Sequence, residues 1–197
     1  MSARRFLIGL TGSMGMGKST TAQMFRDAGI PVWDADAVVH RLYAKGGRAV
    51  APLARLRPQA QVGGAIDRSQ LKQWISEDPD ALADIEAVVH PLVAEDRERF
   101  LAGLETDIAV LDIPLLLESG ADRLVDLVLV VSAPPEVQKA RILERGEMDL
   151  AMLETILAKQ MPDHEIRARA DRVIETNDME STRKAVQQLL KEIGENA

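Results

Sequence analysis

Gly12-Ser13-Met14-Gly15-Met16-Gly17-Lys18-Ser19 decides the fold. The stretch matches G-x-x-x-x-G-K-[ST], in which glycines let the backbone wrap so that successive N–H groups point inward at phosphate oxygens. Before it stands the short apolar run Phe6-Leu7-Ile8-Gly9-Leu10, which suits a strand buried on both faces. After it the residues predict a helix from Lys18 to about Ala28, with Ala22, Met24 and Phe25 on its apolar face and Gly29 at its end. Strand, loop and helix in that order distinguish a phosphate-binding loop from a chance match in a glycine-rich turn. The helix adds its positive dipole end, Lys18 would reach the β- and γ-phosphates of ATP, and the Ser19 hydroxyl would hold Mg²⁺. ATP is thus expected on Gly12, Ser13, Met14, Gly15, Met16, Gly17, Lys18, Ser19 and Thr20.

Outward from the loop, Ile30–Trp33 reads as a second strand that closes at Asp34-Ala35-Asp36. From Ala37 to Glu105 no strand is evident. Helices are expected at Ala37–Tyr43, Ala49–Arg57, Ser69–Ser76, Pro79–Val89 and Leu92–Leu104, with Asp78-Pro79 as a helix start and Gly63-Gly64 as a turn. Strands return at Ile108–Leu111, ending at Asp112, and at Leu127–Val131, after which Pro134-Pro135 opens a helix. Helices at Asp149–Gln160 and Glu165–Ala170, an edge strand at Arg172–Glu175 and a helix at Glu180–Ile193 complete the chain. This alternation implies an α/β protein: a parallel, doubly wound P-loop NTPase sheet carrying a helical insertion. Ligands of such sheets bind beyond the carboxyl ends of the strands, where Thr11-Gly12, Asp34–Asp36 and Asp112 all fall.

The 197 residues suggest one domain, and 31 acidic against 24 basic residues make a net charge of −7. Such a chain is a poor general binder of nucleic acid or anionic membrane, so neither is expected as a partner, and no obligatory protein partner is evident. The absence of cysteine excludes disulfides, thiolate metal sites and cysteine nucleophiles. With no membrane-length apolar run and no signal-peptide pattern in MSARRFLIGLTG, a cytoplasmic protein is expected. A GTPase would need N-K-x-D and D-x-x-G sequences, and neither occurs.

Asp34 and Asp36 are two residues apart, and if the second strand continues through them both point to one side. One could take the proton of an acceptor hydroxyl and the other could orient metal-bound water. Equally, either could cap the helix near Ala37. Asp112 could hold metal-bound water at its strand end or merely cap a turn. His40, His90 and His164 show no metal-triad spacing.

GLTGSMGMGKSTTAQMF followed by GIPVWDADAVVHRL resembles the dephospho-CoA kinase family. His90-Pro91 in IEAVVHPLV, the segment DIPLLLESG from Asp112 to Gly120, and QMPDHEIRARADRVIETN agree, in order, from Ile8 to about Asn177. The resemblance implies transfer of the ATP γ-phosphoryl to the ribose 3′-hydroxyl of dephospho-CoA, with Mg²⁺. It also implies three parts: a nucleotide core (about 5–36, 107–135 and 171–197), a helical acceptor domain (about 37–105) and a lid (about 141–165), the acceptor entering between core and insertion. Asp36 would be the base for the hydroxyl, Asp34 and His90 would lie on the substrate side, and Arg141 and Arg145, in the family's R-x-x-x-R position, would neutralise the phosphoryl group in flight. Ser13 and Met16 stand where the family has glycine and serine, Arg57-Pro58 where it has Phe-Gly, and Asp178-Met179 where a glycine follows Asn177. Another small-molecule kinase, such as a nucleoside monophosphate kinase, and an ATP-binding switch module are the alternatives.

Overall fold

The computed structural model describes residues 5–144, 146 and 161–196. The chain forms two compact units, one from the segments up to Trp33 and from Glu105 onward, the other from Asp34 to Leu104.

The first unit is built on a five-stranded sheet. Its strands are β1 (Phe6–Thr11), β2 (Val32–Asp34), β5 (Ile108–Asp112), β6 (Leu127–Ser132) and β7 (Arg172–Glu175), in the spatial order β2-β5-β1-β6-β7. β1 runs parallel to both β5 and β6, and β6 parallel to β7. Register places Leu10 beside Asp112 and Thr11 beside Val130, so the ends of β1 and β5 fall together. Alternation along the strands sends Ile8, Leu10, Leu129 and Val131 to one face, where they bury against Phe25, Val186, Leu189 and Ile193. Phe25 lies on α1 (Lys18–Asp27) and the last three on the terminal helix Met179–Asn196. Val128 and Val130 point the other way, onto Leu116, Leu117 and Ile166. Both faces are therefore covered, as the unbroken apolar runs of β1 and β6 require.

The second unit holds α2 (Ala35–Tyr43), α3 (Val50–Leu56), α4 (Arg68–Glu77) and α5 (Ala81–Ala102). It also contains a hairpin of β3 (Gln61–Val62) and β4 (Ala65–Ile66) joined at Gly63-Gly64, although no strand is predicted there. Two-residue strands are too short to show an alternating pattern, and the glycine pair is their only trace in the sequence. The two helices expected on either side of His90-Pro91 are one helix. A single proline removes one backbone hydrogen bond, and a long helix with packed flanks, here Ile85 and Val89, absorbs that loss. Asp78-Pro79 does not open α5. Asp78 ends α4, its carboxylate accepting from Trp74 Nε1 (3.2 Å) and the Asp80 N–H (2.9 Å), and α5 starts after Asp80.

Three further helices belong to the first unit: α6 (Pro135–Glu144), α7 (Asp163–Ala168) and α8 (Met179–Asn196). The expected helix at 149–160, Arg145 and most of the expected lid lie outside the described residues.

Phe25 is fully buried between α1 and the sheet. Phe25→Ala should cost about 3–5 kcal/mol of unfolding free energy by urea titration, from lost transfer energy and the cavity left behind. A loss under about 1 kcal/mol would place that ring outside the core.

Candidate active site

The loop between β1 and α1 is the centre of the site, and its shape follows from its glycines. Gly15 and Gly17 have φ of 79° and 88°, in the left-handed region that side chains disfavour. Gly17 serves as the N-cap of α1 without any side-chain cap, so the first N–H groups of that helix remain available to an anion. Lys18, Ser19 and Thr20 form the first turn of α1, with Ser19 and Thr20 exposed. The Thr21 hydroxyl returns to the Gly17 carbonyl at 3.1 Å.

Lys18 does not project freely. Its ammonium lies 2.5 Å from Oδ1 of Asp112, at the end of the neighbouring strand, with side chains 18% and 4% exposed respectively. The lysine of the glycine pattern is thus held at the loop by a buried carboxylate. Asp112, for which turn capping and metal-water binding were both open, is placed at the nucleotide loop.

Met14 and Met16, expected at the nucleotide, belong to the loop, and the Met16 side chain is 3% exposed in the core. Its sulfur accepts the Ala133 N–H at 3.1 Å. Ala133 precedes Pro134-Pro135, which have no N–H of their own, so Met16 satisfies a donor at the turn from β6 into α6.

Beside the loop a cavity of about 620 Å³ is walled by Gly17, Thr20, Thr21, Arg141, Glu144 and the segment Thr176–Met179 with Thr182. That volume lies within the range of small-ligand sites. Arg141 sits on α6, its guanidinium donating to the Thr176 hydroxyl (3.0 Å) and to the Thr176 carbonyl. Arg141, expected at the lid, thus lies on the cavity wall. Asp178, where the family has glycine, caps α8 through the Ser181 N–H (2.8 Å) and hydroxyl (2.7 Å). Those bonds hold its carboxyl below the usual carboxylate range.

In the second unit Asp34 is the N-cap of α2, Oδ1 accepting the Ala37 N–H at 2.9 Å. The strand therefore ends at Asp34, and Asp36 lies on the first helical turn, exposed. The same-side placement expected from a continuing strand does not occur, because the cap has already turned the chain into a helix. Asp36 lacks the structural duty that Asp34 performs, and an acid there suits the positive end of α2. His90 is exposed on α5, immediately before Pro91. The sequence reading missed Gln138 and Thr176, both buried and both bonded to the phosphate loop, and it left adenine contacts near Asn177 open, where Asn177 and Asp178 line the cavity. A glutamine and a threonine far along the chain carry no local signal of such contacts.

A parallel sheet with a glycine-rich loop and its lysine at the strand ends defines a P-loop nucleotide-binding protein. The family described as dephospho-CoA kinase matches residues 6–182. The dephospho-CoA kinase of Cereibacter sphaeroides is 57% identical over 194 residues, covering 98% of both chains. A crystal structure of TT1252 from Thermus thermophilus has a TM-score of 0.88 at 36% identity, over 96% of this chain and 98% of that one. Dephospho-CoA kinase from Campylobacter jejuni shares the fold, with a TM-score of 0.69 at 22% identity over 96% and 98% of the two chains. The chain belongs to the dephospho-CoA kinase family.

The Lys18–Asp112 pair yields a separable prediction. Lys18→Ala should nearly abolish phosphoryl transfer and also cost about 2–3 kcal/mol, just below the range for losing half of a buried pair because Lys18 retains some water. Lys18→Met combined with Asp112→Asn should recover most of the stability in urea unfolding and none of the turnover. Recovered turnover in that double variant would remove Lys18 from the chemistry.

Proposed function

We propose that this protein transfers the γ-phosphoryl group of ATP to the ribose 3′-hydroxyl of dephospho-CoA, giving CoA and ADP. The observation that carries this reading is the lysine-bearing phosphate loop, held beside Asp112, in a chain that matches the dephospho-CoA kinase family over residues 6–182. Phosphoryl transfer asks little covalent chemistry of a protein, so its contribution is positioning and charge neutralisation. Loop N–H groups and Lys18 take the β- and γ-phosphates. The cavity beside Thr176–Met179 takes the base and ribose, with Arg141 on its wall serving ATP binding. Arg145, by the family resemblance, meets the charge that builds on the transferred group. Asp36 orients and deprotonates the acceptor hydroxyl, while Asp34 shapes the start of α2. His90, exposed on α5, is the group of the acceptor unit assigned to the substrate side.

Magnesium arriving with ATP fits the donors present. Ser19 offers an exposed hydroxyl, and Asp112 offers a carboxylate beside Lys18. Mg²⁺ favours one or two such oxygens together with phosphates and water. Ser19 and Asp112 would hold the ion, with the ATP phosphates and solvent supplying the other oxygens. When bound, it neutralises charge on the phosphates.

The direct test is purified protein with ATP, Mg²⁺ and dephospho-CoA, read by mass for one added phosphoryl group. ATP binding without product would favour a switch module, and product only with another acceptor would favour a different small-molecule kinase. Asp36→Asn keeps side-chain size but loses basicity, and turnover should fall about a hundredfold or more. Asp34→Asn should do little, since asparagine caps helices nearly as well. A reversal of the two results would mean that the carboxylates are wrongly assigned. Arg141→Ala should raise KM for ATP more than it lowers kcat, because its contacts are on the cavity wall. A pure loss of kcat would put that guanidinium at the reacting phosphate.

A further inference from the structure

A loop that turns its N–H groups toward an anion must turn the intervening carbonyls outward, and two of those carbonyls are held by side chains distant in sequence. Thr176 Oγ1 donates to the Met16 carbonyl at 2.8 Å, and Gln138 Nε2 donates to the Met14 carbonyl at 2.7 Å. Both residues are buried, at 4% and 7% exposure. The described peptide bonds are trans, so the N–H that follows each carbonyl points the opposite way. Holding the Met14 and Met16 oxygens therefore fixes the direction of the Gly15 and Gly17 N–H groups. Both are glycines with φ in the left-handed region, 79° and 88°, whose peptides otherwise reorient at little steric cost. Thr176 also accepts from Arg141 Nη1 at 3.0 Å. The Ser132 carbonyl lies farther from the same hydroxyl, at 3.4 Å, so its single proton goes to Met16 while a lone pair accepts from Arg141.

We propose that Thr176 and Gln138 are positioning residues for phosphoryl transfer, which hold the Met16 and Met14 carbonyls outward and so keep the loop N–H groups set for the ATP phosphates. Thr176, through Arg141, joins this setting to the neighbouring cavity. The proposal rests on the reading of the loop as the ATP site, and it concerns residues that do not themselves touch the transferred group.

The test is steady-state kinetics with ATP and dephospho-CoA each varied, and with tripolyphosphate and adenosine as competitors of ATP. Thr176→Val keeps the side-chain shape without the hydroxyl, and Gln138→Leu removes the amide. Each should raise KM for ATP about tenfold, as expected for a buried carbonyl left without its donor, with KM for dephospho-CoA unchanged. Thr176→Ser should restore KM for ATP to near the wild-type value. In Gln138→Leu the inhibition constant of tripolyphosphate should rise in the same proportion while that of adenosine stays put, since Gln138 does not line the cavity. Wild-type KM for ATP in the folded variants overturns the proposal. So does a Ser variant as impaired as Val, or equal weakening of tripolyphosphate and adenosine in Gln138→Leu. If Thr176→Val does not fold, Gln138→Leu decides alone. Wild-type protein that makes no phosphorylated product overturns the kinase reading instead, and that result is distinct from an active enzyme with indifferent variants.

Discussion

Parallel pairing of β1 with β5 and β6 aligns strand ends, and the site depends on that alignment. Because Leu10 lies beside Asp112, the carboxylate that ends β5 arrives at the loop that leaves β1. Lys18, the last residue of the glycine pattern before Ser19, then finds its counter-ion at the end of the neighbouring strand. Two charges with little access to water are costly apart and tolerable together, so the pair settles where the lysine stands. The same alignment brings the start of α6 and the segment after β7 next to the loop, where Gln138 and Thr176 take its carbonyls.

Departures from the family pattern are absorbed by packing and capping. Met16, in place of serine, puts its sulfur where the Ala133 N–H needs an acceptor and its methylene groups into the core on one face of the sheet. Asp178, in place of glycine, caps α8 with two oxygens and leaves Asn177 and its own backbone on the cavity wall. In both cases the backbone keeps its place in the loop or on the cavity wall while the side chain takes a structural role. This is expected where recognition is made mostly by N–H groups.

The helical unit follows different rules. Its exposed ion pairs, Arg41–Asp96 at 3.2 Å and the Arg48–Glu95–Arg99 set at 2.6 and 2.8 Å, lie on solvated faces and contribute little individually. Burial of Leu53, Trp74, Ile85 and Val89 is the larger stabilising term. The different placement of its two acids comes from local geometry. Asp34 is committed to the Ala37 N–H, and the turn it creates carries Asp36 onto the helix.

Local signals in the sequence determined the core strands, the phosphate loop, the helix that follows it and the placement of Lys18 and Ser19. Each depends on residues close in the chain: apolar runs of strand length, glycines at fixed spacing, prolines at a helix start. The same local reading divided α5 at Pro91 and overlooked the β3–β4 hairpin, because packing decides whether a helix survives one lost hydrogen bond and whether two-residue strands pair. Only the tertiary structure could decide that Asp112 faces Lys18, that Met16 belongs to the core, that Arg141 stands on a cavity wall, and that Gln138 and Thr176 hold the loop. These contacts join residues separated by 94 to 160 positions, except the Arg141–Thr176 bond at 35. Hydrogen bonds of that kind leave no periodicity or spacing in a sequence. They exist because parallel strands, wherever they lie in the chain, are brought to end at the same edge of one sheet.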